Sequence, residues 1–371
     1  MTNDTPKHGT VTYVVAPSGT GKSFTGDALM HLHGFHHVDG DYPLKSCGSN
    51  ERYRSMTETM LEASICYAPL GEDGPEELWQ PYFTEIAHLA LKAIQENPTK
   101  NVVLTNATSR QAYREKVVNT LMEDGGLDRN SINILELTID PDVKLKGLYY
   151  RSKRQAEGAG MTLGDTMRGF GWEGEGDLTL DDWFAFCKKS PALGSGGDKK
   201  MESMPEGFGK IVDVSSRDIG HIEAVEKALG LSPNDRVRTV GAYEELRDEI
   251  KEFEAQRDVD MVSSGSRDIV MPMFEKFLAK KDVGADHSKN AESSNKNDED
   301  EMIDAADVDD EEKERMKKRR SSMVSAELLM KKLGGQGSSS SEGDDNDGAR
   351  KSAATMKARR SSLIMTGKIS S

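Results

Sequence analysis

The chain has 371 residues, room for two domains or for one domain with a long extension. Its aromatic residues (3 Trp, 9 Tyr and 10 Phe) all fall at or before Phe277, so residues 278–371 have little from which to build a core and are expected to be disordered. With 49 Lys+Arg against 64 Asp+Glu, the net charge of −15 argues against a chain-wide surface for duplex nucleic acid.

No apolar run is long enough to form a transmembrane segment, and the N-terminus, MTNDTPKHGT, lacks the basic and apolar regions of a signal peptide. Cys47, Cys66 and Cys187 are too few and too scattered for a disulfide framework or a zinc site. A soluble cytoplasmic protein is the expectation, with nuclear import through basic tail motifs as an alternative.

In chain order, TVTYVVA at 10–16 is a short β-rich apolar run, and the turn PSGTG leads into SFTGDALMHLH, whose Phe24, Leu29 and Leu32 recur at helical spacing. The helix should stop at Gly34, which adopts the left-handed cap conformation at little cost, and Phe35–Val38 reads as a second strand. A helix near 76–97, a strand at Asn101–Asn106 and a helix at Ser109–Met122 capped by Ser109 follow. Ser131–Ile139 with Pro141–Ala156, and Lys210–Val214 with Asp218–Leu229, repeat the strand and helix pattern. Connections too long for hairpins predict an α/β fold: a five-stranded, mainly parallel sheet covered on both faces, over residues 1–230. The Gly-rich stretch at about 157–209 interrupts that rhythm and is a candidate lid. Residues 231–281 read as a partly helical extension with one charged helix at Tyr243–Gln256 and a short apolar segment around Met271–Leu278, and 282–371 as a charged tail.

Ala16-Pro17-Ser18-Gly19-Thr20-Gly21-Lys22-Ser23 matches the phosphate-binding loop pattern with Ala in the first Gly position. Glycines let successive backbone N–H groups point inward around phosphate oxygens, at the positive end of the following helix. Ser18, Gly19, Thr20, Gly21, Lys22 and Ser23 are therefore the expected ATP-binding residues, with Lys22 reaching the β- and γ-phosphates and Ser23 ligating Mg²⁺. Position between a strand and a helix supports this over a structural Gly turn. It also makes the α/β unit a three-layer sandwich of the P-loop type.

Asp39-Gly40-Asp41 closes the second strand, and in an open parallel sheet the carboxyl ends of strands converge on one crevice. One carboxylate would hold Mg²⁺ through water and the other would accept a proton or hydrogen bond from a substrate hydroxyl. An ordinary Asp-Gly turn is the competing reading.

These residues resemble the gluconokinases, within the shikimate-kinase-like group of small-molecule P-loop kinases. The resemblance rests on SGTGKS at 18–23, DGDYP at 39–43, PLGEDGPEELWQPYF at 69–83, VVLTNATSRQAYREKV at 102–117 and IVDVSSRDI at 211–219, and spans about 1–230. The chain departs from the family where Gly74 follows Asp73 in place of Arg, and where EGAGMTLGDTMRGF stands after the lid arginines. The resemblance implies phosphoryl transfer from ATP, with Mg²⁺, to a hydroxyl of a small polar acceptor, a gluconate-like sugar acid being favoured. It places Asp41 at the acceptor hydroxyl, Arg52 or Arg54 and Arg114 at the acceptor's charged group, and Arg151 and Arg154 in the lid; Asp39 is then the carboxylate expected to hold Mg²⁺ through water, and Arg168 is the reserve candidate. A guanidinium fork meets carboxylate or phosphate oxygens two at a time. The plainer alternatives are solvated roles for Arg52 and Arg54, and a surface pair of Arg114 with Glu115 or Asp128.

His31, His33, His36 and His37 straddle a helix end without a ligand spacing suited to zinc, and read as a partly solvated terminus. Trp172, Trp183, Phe184 and Phe186 read as packing, with covering of a bound ligand as the alternative. In the tail, Arg-Arg-Ser-Ser occurs twice, ending at Ser322 and Ser362, a pattern suited to a basophilic protein kinase or to a protein partner. The competing functional class is a nucleotide-gated regulatory or binding protein; a shikimate- or nucleoside-monophosphate-type kinase is the other.

Overall fold

The computed structural model describes residues 9–67, 72–158, 160–168, 172–189, 201–261, 269–270, 272–273, 275–277 and 279–280. The two Arg-Arg-Ser-Ser motifs, the tail and part of the lid insertion lie outside these residues. Five strands, β1 (Val11–Val15), β2 (His36–Asp39), β3 (Val102–Asn106), β4 (Ile132–Thr138) and β5 (Lys210–Asp213), form one sheet in the order β2-β3-β1-β4-β5. Every pairing is parallel, with Val15 beside Asn106 on one side and Glu136 on the other, and Asp39 beside Thr105. All carboxyl ends of the strands therefore share one edge, as expected for a doubly covered α/β sheet.

Both faces of β1 are buried because helices cover each side. Val11, Tyr13 and Val15 pack with α4 (Glu76–Glu96) and α5 (Gln111–Glu123), whereas Val14 meets Leu29 of α1 (Lys22–His33) and Val225 of α9 (Ile219–Leu229). Helix α1 ends as the sequence predicts: Gly34 is left-handed at φ 69°, its N–H bonds to Met30 O at 3.1 Å, and Phe35 N–H reaches Leu29 O at 3.4 Å.

Helix α5 starts differently. Its N-cap is Arg110, and the carboxylate of Glu202, from the far end of the lid insertion, accepts from Gln111 N–H at 2.7 Å. A distant acidic side chain thus takes the role expected of Ser109, whose carbonyl is engaged by Arg114 and by Glu202 N–H.

The short α2 (Tyr42–Lys45) and α3 (Glu51–Glu62), which runs on into a π-helical turn at Ala63–Tyr67, lie beyond β2. Helices α6 (Pro141–Gly158), α7 (Leu163–Arg168) and α8 (Leu180–Lys189) make their own apolar cluster, with Trp183 Nε1 donating to Leu145 O at 3.0 Å. Trp183 and Phe186 are buried there, and Trp172 and Phe184 pack against them, so this aromatic group is packing that joins the insertion to α6. The charged helix of the extension, α10 (Val240–Met261), is longer than expected and sets Tyr243, Leu246 and Ile250 on Ala28 and Ile222.

The histidine-rich helix end is not a solvated terminus throughout. His37 is buried, with Nδ1 at 2.6 Å from Asp27 Oδ1 and Nε2 at 2.9 Å from Thr105 Oγ1, and His33 pairs with Glu226 at 2.8 Å. Among the described residues no group of three His, Cys, Asp or Glu could hold a metal, and no helix is long and apolar enough to cross a membrane.

Gly26 makes room for that histidine: a Cβ there would lie 2.4 Å from His37 Nε2. Gly→Ala inside a helix ordinarily stabilises by roughly 0.5–1 kcal/mol. Gly26→Ala is expected to destabilise instead, by about 1–3 kcal/mol, because the ring must leave Asp27 and Thr105. Chemical denaturation of both proteins checks the sign, and a more stable variant would refute the buried-histidine geometry.

Candidate active site

The loop between β1 and α1 is bent by two left-handed glycines, Gly19 at φ 80° and Gly21 at φ 109°. Gly21 caps α1 with no side-chain hydrogen bond, and the first turn of α1 has no acidic residue. Backbone donors at a helix N-terminus without a capping side chain suit an anion. Lys22 is buried and its Nζ donates to Pro17 O at 3.0 Å, which folds the ammonium back over the loop. Ser23 is half-buried at the second helical position, and Thr20 Oγ1 is buried without a hydrogen-bond partner. The open backbone donors, the lysine and the unpartnered hydroxyl fit a phosphate group.

The carboxylate corner stands two strands away, at the end of β2. Asp39 is buried, its Oδ2 accepting from Lys45 Nζ at 2.8 Å and its Oδ1 from Asp41 N–H at 2.9 Å. Asp39 thus holds the backbone of Asp41 in place and neutralises a lysine. Gly40 allows the close approach to β3 that this turn needs, since a Cβ there would lie 2.7 Å from both Thr105 O and Asn106 Nδ2. Tyr82 of α4 donates to Gly40 O at 2.9 Å; burial first, then the charges of Asp41 and Asp39, holds its hydroxyl well above the usual phenol range. Lys45 carries no motif; the only local signal is Pro43, which suits the start of the short helix α2 and names no partner for the lysine.

The arginines divide. Arg114 is fully buried, with all five N–H donors used: on Thr108 O, Gln111 Oε1, Glu136 Oε2, Ser109 O and Glu202 O. It neither pairs with Glu115 or Asp128 at the surface nor keeps a donor for an acceptor; it clamps the β3–α5 connection to β4. Arg52 is exposed, with Nη2 at 2.5 Å from the buried Glu85, and Arg54 is exposed. Arg151 is half-buried and Arg154 exposed on α6, and among the described residues neither forms an ion pair. Arg168 is spent within the lid, on Asp165, Gly174 O and Gly176 O.

A cavity of about 500 Å³ opens beside the loop, with Pro17 and Thr20, Glu136 and Thr138 of β4, Lys144 of α6 and Lys188 of α8 in its wall. Burial raises the Glu136 carboxyl, and the Arg114 guanidinium works against that rise. Glu136 takes a position of β4 that faces the apolar layer, so only the arrival of Arg114 from α5 makes its charge tolerable there.

Two supports of the loop come from the segment after β5. Arg217, the only non-glycine residue with positive φ among those described, donates from Nη2 to Gly19 O. His221 is buried with Nε2 at 2.9 Å from Thr25 Oγ1, and the Thr25 hydroxyl donates to Gly21 O at 3.0 Å, so the ring donates from Nε2. Their sequence signal was only membership of the IVDVSSRDI stretch and of the helix after it, which names no partner.

Burial above all, with Arg217 adding to it, lowers the His221 pKa from 6.5 to about 3. The native state thus favours the neutral ring, a contribution present in full above about pH 6.5 and lost as pH falls towards 3. His221→Gln keeps a donor without the titration, so its stability should fall less steeply between pH 7 and pH 4, read by urea denaturation. Equal slopes would refute the neutral buried ring.

No protein-family model matches the sequence, and no curated protein does. Among solved structures, similarity is found to an unliganded sugar kinase from Janibacter sp. HTCC2649, at 13% identity over 61% of this chain and 96% of that one, with a TM-score of 0.33. A gluconokinase from Sinorhizobium meliloti 1021 matches at 15% identity over 67% and 98% of the two chains, with a TM-score of 0.31. Shikimate kinase from Acinetobacter baumannii, in complex with shikimate, matches at 13% identity over 60% and 95%, with a TM-score of 0.27.

Proposed function

We propose that this chain transfers a phosphoryl group from ATP to a hydroxyl of a small polar metabolite, with a gluconate-like sugar acid as the favoured acceptor. The observation that carries the reading is the glycine-bent loop on a helix N-terminus without a capping side chain, with Lys22 folded over it and a pair of carboxylates at the same sheet edge.

With ATP bound, Lys22, which rests on Pro17 O, would turn to the β- and γ-phosphates, and the amides of residues 18–23 would hold their oxygens. Mg²⁺ bound there would offset charge on the phosphates; the Ser23 hydroxyl would hold it, and Asp39, whose oxygens already accept from Lys45 and from Asp41 N–H, would hold it through water. Asp41 aligns the acceptor hydroxyl and takes its proton. Arg52, seated on Glu85, and Arg54 serve the acceptor's anionic end; Arg151 and Arg154 approach the phosphates from α6. Most of the rate enhancement then comes from positioning and charge stabilisation.

Lys22→Ala is expected to lower ATP-dependent phosphorylation of gluconate by about a hundredfold or more, the scale of losing one preorganised charge contact, while far-UV circular dichroism stays unchanged. Full activity in that variant would overturn the assignment. ATP consumption measured with gluconate, shikimate, nucleoside monophosphates and no acceptor assigns the substrate class; turnover that ignores every acceptor would reduce the protein to an ATPase.

A further inference from the structure

The described residues between 269 and 280 pack on the helices that follow β2. Val270 and Phe277 are 0% and 1% exposed, in one apolar cluster with Leu44, Cys47, Leu61 and Ile65. Cys66 Sγ lies 3.6 Å from Phe277 O, Lys276 pairs with Glu58 at 2.8 Å, and Lys280 pairs with Glu62. The contact thus has an apolar centre and two ion pairs at its margin, and it covers the end of α3 where the helix widens into its π turn.

What this contact reaches matters more than its size. Leu44 and Cys47 bracket Lys45, whose ammonium holds Asp39 Oδ2, and Asp39 Oδ1 holds Asp41 N–H. The nucleotide loop is supported elsewhere, by Arg217 and His221. We propose that residues 269–280 are an intramolecular strap that positions the Asp39–Asp41 corner through Lys45, so that this last part of the extension, unlike α10, acts on the acceptor side of the site and not on the nucleotide loop. The term acceptor side rests on the function proposed above; the mechanical coupling does not.

The test uses the full chain. Phe277→Ala should speed amide hydrogen exchange across 42–67 by at least about tenfold, leaving segments 11–25 and 219–229 unchanged, since the void opens under α2 and α3 alone. The gluconate KM should rise by about tenfold with the KM for Mg-ATP within about twofold of wild type. Lys276→Glu with Lys280→Glu should loosen the same segment by roughly threefold, and adding Glu58→Lys with Glu62→Lys should restore it. The charge reversal and its rescue decide the matter if Phe277→Ala does not fold. Unchanged exchange at 42–67 in the charge-reversed chain, equal acceleration throughout the sheet, or parallel rises in both KM values would overturn the strap. If wild-type protein leaves gluconate untouched, the kinase reading fails, while the exchange measurement still decides the coupling.

Discussion

The arrangement of this site depends on the backbone of residues 19–21. Two left-handed glycines let the chain leave β1 and enter α1 within a few residues, and a side chain at either would strain the backbone. At Gly19 it would also meet Leu148 Cδ2 at 2.9 Å, because α6 packs directly on the loop. The turn is gripped from outside: Arg217 takes the Gly19 carbonyl, and Thr25, steadied by His221, takes that of Gly21. Since all five strands are parallel, the loop shares its edge with the ends of β2, β3 and β4, and the chemistry of each strand end becomes available to one ligand.

Buried charge connects these ends. Arg114 with Glu136, Lys45 with Asp39 and His37 with Asp27 each join groups from different elements, all with little exposure. Removing one partner would leave the other uncompensated in a poor solvent, a loss larger than the pair's own net contribution. The Arg114 pair extends further, because Glu202 lends its carbonyl to Arg114 and its carboxylate to Arg110, which also meets Asp73. The far end of the lid insertion is thereby fastened to the N-terminus of α5, while α7 and α8 fold on α6 through apolar contacts. The insertion thus returns to the α/β unit at a fixed point, Glu202.

The sequence beyond the α/β unit is divided between two jobs. Helix α10 lays Tyr243, Leu246 and Ile250 on α1, backing the helix that carries Lys22, and Tyr243 donates to Arg217 O at 3.0 Å. Val270 and Phe277 lie instead beside the helices that carry Lys45. One extension touches both halves of the site, through separate apolar patches and separate polar anchors.

Local chemistry alone made much of this legible. Apolar runs such as VTYVV and VVLTN announce strands buried on both faces, Gly34 announces a helix end, and the glycines before Lys22 announce a tight turn into a helix, because each signal depends on neighbours in the chain. The fate of the charged side chains was not legible in the same way. Nothing local distinguishes Arg114, which spends five donors inside the protein, from Arg154, which stays exposed. Nor does the sequence show that Lys45 occupies Asp39, that Glu202 replaces Ser109 as the helix cap, or that His37 is sealed against Asp27. An ionised group settles where desolvation is offset by a partner, and those partners come from strands and helices tens to hundreds of residues away. Sequence therefore determined the strands, their turns and the glycine-bent loop before α1; the tertiary structure alone decided which charged side chains are spent on one another.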